Sequence, residues 1–186
     1  MKYFLATLML LLAFTVVRAE KRYEIITSLD DRFTVAETEH WNVTVEKQLS
    51  LRFADVKIEP KSNSSFSLML YFKCDTPDLS QFDTAEKIER SVRASSEKYL
   101  SSTVEKTIVL KTLNVKGWYG FYTILTDKNL ATNKNIPKGE FRYITRGMVR
   151  LSKDSALGFS LMSNDLNSSE YKEVFNYILS FVKQNK

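Results

Sequence analysis

Histidine and cysteine are nearly missing from this chain of 186 residues: each occurs once, as His40 and Cys74. A single cysteine excludes any internal disulfide, so the core alone must hold the fold together. A Ser-His-Asp site would have to use His40, which lies in "AETEHW" with no nucleophile-elbow motif anywhere in the chain. Glu37, Glu39 and His40 could present ligands to a metal, but their spacing matches no zinc pattern and no cysteine supports them. No metal and no cofactor is expected. Glycine is scarce too, at five residues, and none builds a phosphate-binding loop: Gly117-x-x-Gly120 opens a strand rather than a helix. Two-carboxylate chemistry needs no local motif, but nothing nominates a pair. There is no strong excess of either charge. The formal net charge is +5, and +3 once Lys2 and Arg18 leave with a leader. That gives no push toward nucleic acid, and none is expected as a partner.

After the first 19 residues no run is apolar enough to span a membrane. Those residues read as a secretory signal peptide: Lys2 supplies the positive start, residues 4–17 the apolar run, and Val17-Arg18-Ala19 a small-x-small cleavage site. The run falls short of the roughly twenty residues of a membrane span. No cysteine follows to accept a lipid. The mature chain is expected from Glu20, periplasmic or secreted, with no transmembrane segment after cleavage. The lone cysteine fits the periplasm, whereas three sequons, at Asn42, Asn63 and Asn167, point weakly the other way. Cys74 ends an apolar strand and reads as a small buried hydrophobe.

Hydrophobic periodicity supplies the organisation. Residues 20–40 form a lead-in with a short strand near residues 23–26, and residues 41–186 a single domain. "WNVTVEKQLSLRF" alternates through Val43, Val45, Leu49, Leu51 and Phe53, interrupted by Lys47. "IEPKSNSS" turns the chain, and "FSLMLYFKC" places Phe66, Leu68, Leu70, Phe72 and Cys74 on one face. After the Thr76-Pro77 break, Asp83 is the expected N-cap of a helix whose Ile88, Val92, Ser95 and Tyr99 share one narrow stripe. "TIVLKTLNV" and "WYGFYTILTD" read as a hairpin turning at Lys116 and Gly117. A polar loop of about a dozen residues follows. Then come the strands "FRYITRGMVRL" and "ALGFSLMS", the latter after a turn near Lys153 and Asp154. A final helix, capped within residues 164–167, carries Tyr171, Val174, Phe175, Ile178 and Val182 on one face. Hairpin-length connections argue for a mainly antiparallel sheet packed by a mid-chain and a C-terminal helix, an α+β fold.

This order resembles the PsbP/DcrB type of α/β sandwich. "KGWYGFYTILTD", the Lys-Pro-Gly loop, "FRYITRGMVRL", "GFSLMSND" and the closing helix are similar to secreted proteobacterial proteins of that type, over about residues 41–184. The resemblance implies an accessory or binding module rather than an enzyme. DcrB-type proteins are lipoproteins, and this chain departs from them in lacking the lipid-accepting cysteine, so membrane attachment is not implied.

Two constellations stand out as candidate sites. Gly120, Gly147 and Gly158 fall inside strands, where glycine costs about 0.5–1 kcal/mol against alanine unless space is needed. They read either as bulges and room for Trp118, Tyr143 and Phe159, or as a pocket lined by Trp118, Tyr119, Tyr122 and Gly120. In "FRYITRGMVRL", alternation puts Arg142, Arg146 and Arg150 on one strand face, about 13 Å apart at roughly 3.3 Å per residue. That face is either solvated surface or a docking surface for an anionic partner, with Ile144 and Met148 as apolar contacts. The expectation is a non-enzymatic exported binding module for a protein or anionic envelope component. The alternatives are a carrier of small apolar ligands using the aromatic-glycine region, and a hydrolase.

Overall fold

Among the described residues nine strands and two α-helices follow one another as β1 (Arg22–Ile26), β2 (Arg32–Ala36), β3 (Trp41–Ser50), β4 (Phe53–Pro60), β5 (Phe66–Cys74), α1 (Ala85–Glu97), β6 (Lys111–Thr112), β7 (Gly120–Thr126), β8 (Tyr143–Arg150), β9 (Ser155–Ser163) and α2 (Ser169–Ser180). The structure is a computed structural model. It describes residues 21–27, 31–50, 53–74, 82–113, 118–152 and 154–181, without the side chains of 47–50. The expected leader, the break at Pro77, the turn at Lys116 and Gly117, Lys153, the side chains of Leu49 and Leu51, and Val182 lie outside the described residues.

Seven strands form one antiparallel sheet in the order β3-β4-β5-β9-β8-β7-β6. The fold is thus α+β, with the expected sheet, mid-chain helix and C-terminal helix. The alternation in β5 fixes its inward face: Phe66, Leu68, Leu70 and Phe72 are 2% exposed or less. Cys74, at the end of the strand, is buried as well. β5 pairs along its full length with β9, from Phe66 opposite Ser163 to Cys74 opposite Ser155. Strand β4 takes over where "WNVTVEKQLSLRF" reads as a single strand, and Ala54, Val56 and Ile58 carry its alternation. A register shift between Val45 and Lys47 in β3 accounts for the polar residue that interrupts the pattern there.

One face of the sheet is closed by α2 and by a hairpin of β1 and β2. Tyr171, Val174 and Ile178 of α2 and the following Phe181 join Ile25, Phe33 and Val35 in the main core. The lead-in segment therefore packs as part of this core rather than preceding it. Aromatic rings tie the layers: Phe33 to Phe72 at 5.4 Å, Phe72 to Phe181 at 5.5 Å and Trp41 to Tyr177 at 5.3 Å between centroids. Two tyrosine hydroxyls at this core are matched. The Tyr171 hydroxyl and Thr145 Oγ1 lie 2.8 Å apart, and the Ala36 amide donates to the Tyr177 hydroxyl at 3.3 Å. Burial raises both tyrosine pKa values above the ordinary range, and these hydrogen bonds partly oppose it. The helix is capped by Ser168, one residue beyond the expected segment, whose hydroxyl accepts from the Tyr171 amide at 3.1 Å.

Among the described residues, the opposite face is covered only in part. Helix α1 lies over β7 and β8, burying Ile88 and Val92 against Met148 and Ala156, with Phe82 sealing the edge. Its N-cap is Thr84, not Asp83: Thr84 Oγ1 accepts from the Lys87 amide at 3.3 Å, while the Asp83 carboxylate pairs with Lys87 Nζ at 2.8 Å. Beyond α1, on β3 and β4, the same face carries exposed Asn42, Thr44, Glu46, Phe53 and Glu59.

Candidate functional site

Alternation puts Arg142, Ile144, Arg146, Met148 and Arg150 on the α1 side of β8, as the sequence pattern requires. That side is not an open row of charges. Met148 is 4% exposed, because the apolar stripe of α1 needs a partner and Met148 with Phe121 supplies it. Each arginine is half-buried with a different task. Arg142 donates from Nε to the Leu130 carbonyl at 3.1 Å and from Nη2 to the Asn133 carbonyl at 2.5 Å, pinning the polar loop after β7. Arg150 donates from Nη1 to the Asp83 carbonyl at 2.8 Å and to the Tyr119 hydroxyl at 2.5 Å, tying β8 to the start of α1. The Tyr119 hydroxyl also donates to the Asp83 carbonyl. Only Arg146 faces the uncovered part of the sheet. Its Nη1 donates to Ser160 Oγ at 2.8 Å and to the Tyr99 hydroxyl at 3.1 Å, and its guanidinium stacks 4.7 Å from the Tyr99 ring centroid.

Among the described residues the aromatic-glycine block does not enclose a pocket. Tyr119 points toward α1 and Arg150, whereas Tyr122 lies on the other face, its ring 5.3 Å from Phe175 of α2. Trp118 packs at the edge of the main core with the Arg150 guanidinium 5.6 Å from its ring. Gly120 faces no opening: a Cβ there would stand 2.9 Å from both Val149 Cβ and the Met148 carbonyl oxygen. Gly147 makes room for Phe159, since a Cβ would meet its Cε1 at 2.7 Å and Cζ closer still. The four residues expected to share a pocket are divided between two faces because strand neighbours point in opposite directions.

His40 is exposed and pairs with Glu39 at 3.0 Å, while Glu37 pairs with Lys61 at 3.1 Å. These three residues do not converge. Among the described residues no group of three or more His, Cys, Asp or Glu side chains is placed to hold a metal ion.

The concavity that sequence reasoning missed lies on the uncovered part of the α1 side. A groove of about 600 Å³ runs over β3, β4, β5 and β9, between the turn after β4 and the Lys138–Gly139 bend. Met69 and Met162 form its apolar floor beside buried Ser67, and Lys57, Lys61, Lys138, Glu46 and Glu59 stand on its walls. Lys57 is paired with Glu59 at 3.0 Å. Gly139 adopts φ +87°, which lets the bend close the end of the groove. Register extends the surface sideways: Met69 lies opposite Ser160, and Ser160 opposite Arg146, so all three share one row and one face. The next row down β5 holds Tyr71 opposite Gly158, and then Lys73. Burial depresses the Lys73 pKa below the usual lysine range; Asp55 opposes this and Arg146 adds to it. The signal for this face was present in the sequence: the off-face positions of "FSLMLYFKC" and "GFSLMS" carry Ser67, Met69, Tyr71, Ser160 and Met162, too apolar for plain solvated surface.

No protein-family model matches the chain, and no curated protein matches it. The chain is similar to the solution structure of cyanobacterial PsbP (CyanoP) from Synechocystis sp. PCC 6803, at 12% identity and a TM-score of 0.47, over 89% of this chain and 90% of that one. Among the described residues no helix is long and apolar enough to cross a membrane.

Proposed function

We propose that this chain is an exported, non-enzymatic binding module that recognises a protein or anionic envelope component on the uncovered part of its sheet. One observation carries the reading: among the described residues the second face of the sheet is sealed by α1 only over β7 and β8, leaving a groove of about 600 Å³ floored by Met69 and Met162. An apolar floor with charged walls is the composition of a recognition surface. With Lys57 paired to Glu59 and Lys61 to Glu37, Lys138 on the wall and Arg146 beside the groove stand against Glu46, which favours an anionic partner. Arg142, Arg150, Ile144 and Met148 serve the reading indirectly, by fixing the loop and helix that border the surface. Export rests on the apolar run at residues 4–17.

Photo-cross-linking from the envelope fraction tests this. With a benzophenone side chain at Met162, the exported protein, beginning at Glu20, is expected to give a discrete adduct. The same group at Glu173, exposed on α2, is the control. Adducts from Glu173 and none from Met162 would move the recognition surface to the other side of the molecule.

A further inference from the structure

The Arg146 guanidinium is held in place by one edge and makes no hydrogen bond on another. Nη1 is used twice, by Tyr99 and Ser160, and the ring of Tyr99 stacks on the guanidinium plane. Nε is buried and has no hydrogen-bond partner, and Nη2 makes none within the described residues. Nε–H and Nη2–H leave one edge of the guanidinium plane in parallel, the fork that grips two oxygens of one acid group. The two groups that hold Nη1 are hydroxyls, and both act as acceptors. The hydrogens of Ser160 Oγ and the Tyr99 hydroxyl are given to no acceptor among the described residues, so they add two more donors beside the fork. No carboxylate pairs with Arg146 there. A half-buried cation whose acceptors are two hydroxyls, with no anion beside it, is an incomplete pair.

We propose that Arg146, with Ser160 and Tyr99, is a carboxylate-binding site whose ligand extends its apolar body over Met69 and Met162. The proposal rests on the uncovered sheet as the recognition surface and specifies its chemistry. A carboxylate suits the site better than a phosphate on two grounds. The fork is planar and supplies one positive charge, which a monoanion balances. The nearest further cation, Lys73, already has Asp55 as a neighbour, so a dianion gains little from it. The row Met69–Ser160–Arg146 then sets the direction of the ligand: from the fork, the adjacent apolar surface is Met69, and beyond it Met162 in the groove.

The test uses the full mature chain and the arginine Nε–H resonances in nitrogen-15 spectra, with Arg146 assigned by its disappearance in Arg146→Lys. Hexanoate is expected to shift the Arg146 resonance saturably, with acetate at least tenfold weaker, since each buried methylene contributes about 0.8 kcal/mol, roughly fourfold in affinity. Arg146→Lys keeps the charge but loses the fork, and should weaken hexanoate at least tenfold, read from the methyl signals of Met69 and Met162. If that variant does not fold, the hexanoate-induced shifts of the Met69 and Met162 methyl signals in the wild-type chain decide. Chloride or inorganic phosphate producing the same shift at matched ionic strength, acetate equalling hexanoate, or an unmoved Arg146 resonance would each overturn the site. A lost hexanoate response with the Met162 cross-link retained would sink the carboxylate site alone and leave the recognition surface standing.

Discussion

Gly147 and Gly158 sit in paired strands and should respond oppositely to alanine. Neither has a positive φ, so backbone strain plays no part and only space decides. At Gly147 an added Cβ meets Phe159 Cε1 at 2.7 Å and the Phe121 carbonyl oxygen at 2.8 Å. The ring is 1% exposed and packs edge-on to Phe175 at 6.2 Å, and the carbonyl belongs to the β7–β8 ladder. Neither neighbour yields easily. Overpacking of this kind costs about 1–3 kcal/mol, and two rigid neighbours place Gly147→Ala near the upper end. For a chain of this size that lowers the melting temperature by about 6–10 °C. At Gly158 the nearest atoms to a new Cβ are Tyr71 Cβ at 3.5 Å and Met148 Cε at 3.7 Å, ordinary contacts. Gly158→Ala should therefore be neutral or stabilise by about 0.4–1 kcal/mol, through lost freedom of the unfolded chain. Urea titration at constant m measures both. The double variant Gly147→Ala/Phe159→Leu adds the mechanism. Removing the ring relieves the clash, so its cost should fall below the sum of the single costs by about 1 kcal/mol or more. A neutral Gly147→Ala, or strict additivity, would refute the packing argument.

Arg150→Ser removes the guanidinium that joins β8 to the Asp83 carbonyl and the Tyr119 hydroxyl, and should cost about 2 kcal/mol in urea unfolding, since hydrogen bonds from charged groups contribute about 1.5–3 kcal/mol; an effect within about 0.5 kcal/mol would return it to ordinary surface. Tyr171 and Tyr177 bind their hydroxyl protons more tightly in the folded chain than in the unfolded one. Their contribution is therefore complete below a pH of about 10 and lost as pH rises through the raised values, so the urea midpoint should fall as pH rises above about 10. Phe substitution at both positions should flatten that fall, and an unchanged slope would assign it to other groups.

The architecture was largely legible because burial in a sheet imposes period two and in a helix near-period four. "FSLMLYFKC" and the Tyr171, Val174, Ile178 stripe are both found buried as their spacing required. What spacing left open was which face a helix covers. Nothing local to "FRYITRGMVRL" says that α1, some fifty residues earlier, lies on the Met148 side, so an arginine row that reads as solvated surface is half-buried. The hairpin of β1 and β2 escaped for a related reason: Phe33 and Val35 alternate within only five residues, and their burial depends on α2, far along the chain. The Gly120 pocket failed on pleat geometry, since Tyr119 and Tyr122 differ by an odd number of residues and lie on opposite faces. The groove was missed because its floor is made by off-face residues of β5 and β9, which only the register Ser67 opposite Met162 and Met69 opposite Ser160 brings together.

Methionine methyl spectra test the central claim most directly, because nature has placed the probes well. Beyond residue 19 the chain has three methionines: Met69 and Met162 on the groove floor, and Met148 buried beneath α1. With methyl-labelled methionine, adding the partner captured from the envelope should shift or broaden Met69 and Met162 and leave Met148 unmoved. Signals from Met69 and Met162 that stay in place while the partner is bound would contradict the assignment of the uncovered sheet as the recognition surface.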